Sequence, residues 1–125
     1  MRIMLADHRS RVRFALRALL EQRPGVNVVG EVADAVNLLS QAGMDCPDLV
    51  LLDWRLRGLA ADSLPALRRV CPDVRVIALS GRPEERGAAL DAGADAFVSK
   101  ADSPERLLAA IDNYGGGISD VYNAE

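Results

Sequence analysis

The sequence predicts an α/β fold, a doubly wound parallel sheet of five strands with helices on both faces. Three observations predict it. Short apolar runs of strand length alternate with longer runs of helical period along the chain. The run Leu49-Val50-Leu51-Leu52 is apolar at every position, which suits a central strand buried on both faces. Chemistry-bearing residues follow the strands, with Asp7-His8, Asp53, Ser80 and Lys100 each at a carboxyl end. In open α/β sheets those ends line the crevice where ligands bind.

The elements follow in order. Arg2 to Ala6 is a short apolar strand ending at Asp7-His8. From Ser10 to Gln22 the period becomes helical, with Val12, Leu16, Leu19 and Leu20 on one face, and Pro24-Gly25 stops the helix. Val26 to Glu31 is a β-branched second strand. A helix then starts at about Asp34, a suitable N-cap, with Gly43 expected just past its end. Leu49 to Asp53 is the third strand. Asp62-Ser63-Leu64-Pro65 opens a short helix ending near Cys71-Pro72. Val74 to Leu79 is the fourth strand, closed by Ser80-Gly81, and Pro83 to Ala92 a helix ending at Gly93. Ala96 to Val98 is the fifth strand. Ser103-Pro104-Glu105 opens the last helix, with Leu107, Leu108, Ile111 and Tyr114 as its buried stripe. One domain is expected over 1–114, and a flexible tail over 115–125 after Gly115-Gly116-Gly117.

Composition narrows the function. A chain of 125 residues, half of them hydrophobic but only 4% aromatic, builds one aliphatic core. A formal charge of −3 argues against nucleic acid as a direct partner. Arg9, Arg11, Arg13 and Arg17 read as a solvated helix face. Cys46 and Cys71 fit no metal or redox spacing, and two isolated cysteines suit a reducing compartment. With no apolar run of membrane-spanning length and no signal-peptide pattern, a cytoplasmic location is expected. A lone aspartate at a strand end is as readily explained by turn chemistry. The coincidence of two acids, a hydroxyl and a lysine on one sheet edge is a much stronger signal. No glycine-rich phosphate loop follows the first strand, which disfavours a small-molecule enzyme on this fold.

These residues resemble the receiver domains of two-component response regulators, over Arg2 to about Tyr114. The resemblance is nearest to receivers that precede a helix-turn-helix output domain. It rests on Arg2-Ile3-Met4-Leu5-Ala6-Asp7, Leu16-Arg17-Ala18-Leu19-Leu20, Pro47-Asp48-Leu49-Val50-Leu51-Leu52-Asp53 and Ala92-Gly93-Ala94-Asp95-Ala96-Phe97-Val98-Ser99-Lys100. It implies a flavodoxin-like sheet of order 2-1-3-4-5. It also implies Asp53 as phosphoacceptor, Ser80 and Lys100 as phosphoryl-binding groups, and Ser80 with Phe97 as switch positions. Asp7, Asp53 and the backbone carbonyl of Arg55 would hold Mg²⁺. The implied partners are a sensor histidine kinase or phosphotransfer protein and a downstream protein, with homodimerisation left open and no membrane contact. Such a domain is a signalling phosphoprotein, not an enzyme.

The chain departs from that pattern at His8, where the family carries its second acidic metal ligand. Imidazole is a poor ligand for a hard ion that prefers oxygen, so Mg²⁺ binding should be weak. His8 has three readings: simple loss of metal affinity, a protonated imidazole replacing the missing cation, or a softer metal held with Asp7 and Asp53. Arg57 stands where the family usually has proline. The loop after Asp53 and the segment from Ser80 to Gly93 look shortened. Two functions compete on these grounds: a phosphorylated switch with compromised metal binding, and a pseudo-receiver that works by protein contacts alone.

Overall fold

The computed structural model describes residues 1–114, so the tail expected over 115–125 lies outside the described residues. Five strands, β1 (Arg2–Ala6), β2 (Asn27–Val32), β3 (Leu49–Asp53), β4 (Arg75–Ser80) and β5 (Ala96–Ser99), form one sheet of order β2-β1-β3-β4-β5. Every pairing is parallel, with Leu5 opposite Leu51 and Leu51 opposite Ile77. The helices are α1 (Ser10–Leu20), α2 (Ala35–Met44), α3 (Ser63–Val70), α4 (Arg86–Asp91) and α5 (Pro104–Asn113).

Alternation along the strands divides the core. Ile3, Leu5, Leu49, Leu51, Ile77, Leu79 and Val98 pack with Leu20 of α1 and with Leu107 and Ile111 of α5. Met4, Ala6, Val50, Leu52, Val76 and Ala78 pack with α2, α3 and α4 through Leu38, Leu64, Leu67 and Ala89. All five residues of β3 are buried, as the uninterrupted apolar run requires. Phe97 is buried in the α2–α4 layer.

Local chemistry sets the helix boundaries, and corrects two of them. Asp34 caps α2 by accepting the Asn37 N–H at 2.8 Å. Gly43 lies inside α2, not after it. The glycines with positive φ among the described residues are Gly25, Gly58 and Gly93, and Gly93, at +112°, does end α4. The segment from Pro83 begins as a 3₁₀ turn, Pro83–Glu85, leaving α4 only 6 residues.

Two further readings are corrected. Arg13 and Arg17 are not a purely solvated face, because both pair with Glu31 of β2, at 3.1 and 2.8 Å. Burial raises the Glu31 carboxyl, but the two guanidinium hydrogen bonds outweigh it and hold the group below its ordinary pKa. Nor are Cys46 and Cys71 isolated. They form a disulfide across 25 residues of sequence, with Cα atoms 5.6 Å apart. Cys46 precedes β3 and Cys71 precedes β4, so the pairing of those strands brings the two approach loops together. The two-cysteine argument for a reducing compartment therefore lapses. Among the described residues, no helix is long and apolar enough to cross a membrane.

Candidate functional site

The parallel sheet carries the ends of β1, β3, β4 and β5 to one edge. Backbone pairing runs one residue beyond β1, where the Asp7 N–H donates to the Val32 carbonyl at 3.1 Å. Asp7 is thereby fixed, and buried at 1% exposure. Asp53 closes β3 at 3% exposure, and the next N–H, that of Trp54, donates to Leu79 of β4 at 2.8 Å. The Lys100 N–H donates to the Ser80 carbonyl at 2.7 Å, which ties the end of β5 to β4.

Lys100 joins the two acids. Its ammonium lies 3.1 Å from Asp7 Oδ2 and 3.3 Å from Asp53 Oδ1. Asp53 Oδ1 also accepts the Arg55 N–H at 3.3 Å. The loop that supplies Arg55 is seated by the buried Leu56 and by a hydrogen bond of 2.8 Å from the Ala35 N–H to the Arg57 carbonyl. Arg57 thus serves through its backbone. Gly58 follows at φ +79°, a backbone conformation that favours glycine. Burial raises the Asp7 carboxyl, yet the Arg9 N–H and the Lys100 ammonium together hold it below the usual carboxylate range.

The other side of the carboxylates faces His8 and Arg9. His8 Nδ1 lies 3.7 Å from Asp53 Oδ2 and 3.9 Å from Asp7 Oδ1. Both His8 Nδ1 and Asp53 Oδ2 are buried with no hydrogen-bond partner. Arg9 donates its backbone N–H to Asp7 Oδ1 at 2.8 Å and sets Nε 3.4 Å from the same oxygen. Its Nη2 lies 3.9 Å from Asp53 Oδ2. Read from sequence as part of a solvated face, Arg9 is instead a pocket residue. Its position immediately after Asp7-His8 at a strand end was the available signal.

Ser80 reaches this edge with its hydroxyl already engaged. The hydroxyl donates to the Glu85 carboxylate and accepts the Arg82 N–H at 3.0 Å. Nothing in the sequence marked Glu85, since the contact depends on the 3₁₀ turn bending back toward β4. Phe97 lies in the core beneath, and its carbonyl accepts a hydrogen bond from Arg86 at 3.3 Å.

The resulting cavity of about 340 Å³ is lined by His8, Arg9, Asp53, Arg55, Gly81, Arg82 and Lys100. The Asp53 carboxylate in it is accompanied by four cationic side chains. That is a site for an anion. Asp7, His8 and Asp53 are the group, among the described residues, whose ligand atoms come within 4.8 Å of one another and could hold a metal ion. For Mg²⁺ the fit is poor. One of the three donors is a nitrogen, and each carboxylate already gives an oxygen to Lys100.

The family model of the response regulator receiver domain matches residues 3–112. The chain belongs to this family. Among curated relatives, this receiver is 36% identical to the nitrate/nitrite response regulator protein NarP of Escherichia coli K12, over 87% of this chain and 52% of that protein. It is 30% identical to NarL of the same strain, over 92% of this chain and 55% of that one. The receiver therefore spans about half the length of the curated relatives it matches. Among solved structures, a two-component response regulator of the LuxR family from Aurantimonas sp. SI85-9A1 superposes with a TM-score of 0.81 at 33% identity. That match covers 89% of this receiver and 81% of that chain. RcsB from Salmonella enterica serovar Typhimurium, solved bound to promoter rprA with the phosphomimetic BeF₃⁻, gives 0.82 at 26%, over 93% and 99%. Receivers of this type are signalling proteins rather than enzymes.

Proposed function

We propose that this receiver accepts a phosphoryl group on Asp53 and passes the signal on through protein contacts. The observation that carries the reading is Lys100, from β5, bridging Asp7 of β1 and Asp53 of β3 in a cavity with a cationic rim. A phosphodonor, whether the phosphohistidine of a sensor kinase, a phosphotransfer protein or a small acyl phosphate, is drawn in by that rim. Asp53 Oδ2, the carboxylate oxygen without a hydrogen bond, attacks phosphorus. Lys100 and the Ser80 hydroxyl then bind phosphoryl oxygens. Mg²⁺, when bound through Asp7, Asp53 and the Arg55 carbonyl, would offset part of the phosphoryl charge. Its affinity is weak because His8 offers nitrogen in place of a carboxylate.

The test is intact mass after incubation with a small phosphodonor, under conditions that preserve acyl phosphates. The native protein should gain one phosphoryl group slowly, and Asp53→Asn none. No adduct at any Mg²⁺ concentration would instead make the domain a phosphorylation-independent interaction module.

Switching follows from the engagement of Ser80. To reach a phosphoryl oxygen its hydroxyl must leave Glu85, releasing the 3₁₀ turn that leads into α4, while Phe97 below packs against the same layer. Glu85→Ala frees the Ser80 hydroxyl from its carboxylate acceptor. It should raise the phosphorylation rate about threefold or more, since a charge-assisted hydrogen bond no longer has to break. An unchanged or lower rate in the same mass assay would show that Glu85 does not restrain Ser80. Direct DNA binding is no part of this reading, given the net charge of −3. A sequence-specific gel shift by this chain alone at physiological salt would contradict it.

A further inference from the structure

We propose that Arg9 supplies the positive charge that receivers otherwise take from a divalent ion, so that phosphoryl transfer to Asp53 proceeds without metal. The inference rests on Asp53 being the phosphoacceptor. The two carboxylates are held from two sides. Lys100 takes Asp7 Oδ2 and Asp53 Oδ1, at 3.1 and 3.3 Å. Arg9 takes the opposite oxygens, with Nε 3.4 Å from Asp7 Oδ1 and Nη2 3.9 Å from Asp53 Oδ2. Two anions face two cations, and the charge closes with no ion added.

A dication entering between Asp7, His8 and Asp53 would meet Arg9 and Lys100 at close range, with Arg55 and Arg82 on the rim. An anionic phosphodonor meets the reverse field. The oxygen nearest Arg9 on Asp53 is Oδ2, which has no hydrogen-bond partner and so keeps its lone pairs for attack. With acetyl phosphate as donor, an Oδ2 lone pair forms the new O–P bond while the bond from phosphorus to the acetyl oxygen breaks. Acetate leaves with that electron pair. The resulting acyl phosphate carries about −1.5 to −2 of charge where the carboxylate carried −1. A guanidinium fork suits bidentate binding of phosphoryl oxygens, and Arg9 Nη2 already lies 3.9 Å from Oδ2. His8 Nδ1, unpartnered and 3.7 Å from Oδ2, faces the same group. The Arg9 side chain is 48% exposed, so it has room to follow the incoming donor.

The experiment compares the rate of adduct formation with acetyl phosphate in EDTA and in excess Mg²⁺, followed by intact mass on the whole chain. The EDTA rate should fall within about threefold of the Mg²⁺ rate. Arg9→Gln should slow the EDTA reaction about tenfold or more, and Arg9→Lys should recover part of the loss. An adduct that forms only after Mg²⁺, Mn²⁺ or Zn²⁺ is restored would overturn the proposal and leave Asp53 as a metal-assisted acceptor. So would an Arg9→Gln rate in EDTA equal to that of the native protein. Absence of adduct with and without metal would reject the phosphoacceptor reading itself, and this proposal with it.

Discussion

Reduction of the Cys46–Cys71 disulfide should lower the melting temperature by about 10 °C and leave the fold in place. The bond closes a loop of 25 residues, for which the loss of unfolded-state entropy amounts to roughly 3.5 kcal/mol. At about 3 °C per kcal/mol for a domain of this size, that gives the stated shift. The reduced protein keeps its structure because both thiols have acceptors within reach. Cys46 Sγ lies 3.3 Å from the Val70 carbonyl and Cys71 Sγ 3.1 Å from that of Ala42, so neither sulfur becomes a buried orphan. Calorimetry with and without reductant checks this, with Cys46→Ser/Cys71→Ser as the form that no longer responds to reductant. Equal melting temperatures for the native protein in both conditions would show that the bond does not form in solution. Because the bond lies before β3 and β4, at the end of the sheet away from Asp53, reduction should leave phosphoacceptance unchanged.

His8→Asp should tighten Mg²⁺ binding about tenfold or more. It places a second hard oxygen donor beside Asp7 where His8 Nδ1 now faces both carboxylates at 3.7–3.9 Å. Tenfold corresponds to roughly 1.4 kcal/mol, modest for a direct charged ligand. It is kept modest because Lys100 and Arg9 still compete for the same carboxylate oxygens. Trp54, next in sequence to Asp53 and partly buried, offers a fluorescence signal for the titration. Equal affinities for the two proteins would mean that His8 is not what weakens the site, and the cationic rim becomes the cause.

The sheet was legible because its signals are local. A uniform apolar run as short as Leu49 to Leu52, between Pro47 and Gly58, suits a strand covered on both faces. The convergence of Asp7, Asp53 and Lys100 was legible too, since parallel strands send all their carboxyl ends to one edge. What escaped depends on tertiary neighbours. Cys46 and Cys71 meet because β3 pairs with β4, and a separation of 25 residues matches no spacing rule. Arg13 and Arg17 looked solvated until β2 brought Glu31 beneath them. Gly43 was read as a helix end, but no positive φ occurs there and the helix runs on to Met44. Glu85 could not be placed because it is defined by its partner Ser80, whereas Arg9, set directly after Asp7-His8, carried a signal that its neighbouring arginines masked.

A phosphoryl group accepted by Asp53 should be felt in the segment after β4. Backbone amide spectra of the ¹⁵N-labelled chain, recorded before and after addition of a small phosphodonor, test it most directly. Shifts are expected at Asp53, Ser80, Arg82 and Lys100 that continue through Pro83–Glu85, via the amides of Glu84 and Glu85, into α4, and that vanish in Asp53→Asn. Spectra unchanged by the phosphodonor, or identical shifts in Asp53→Asn, would contradict it.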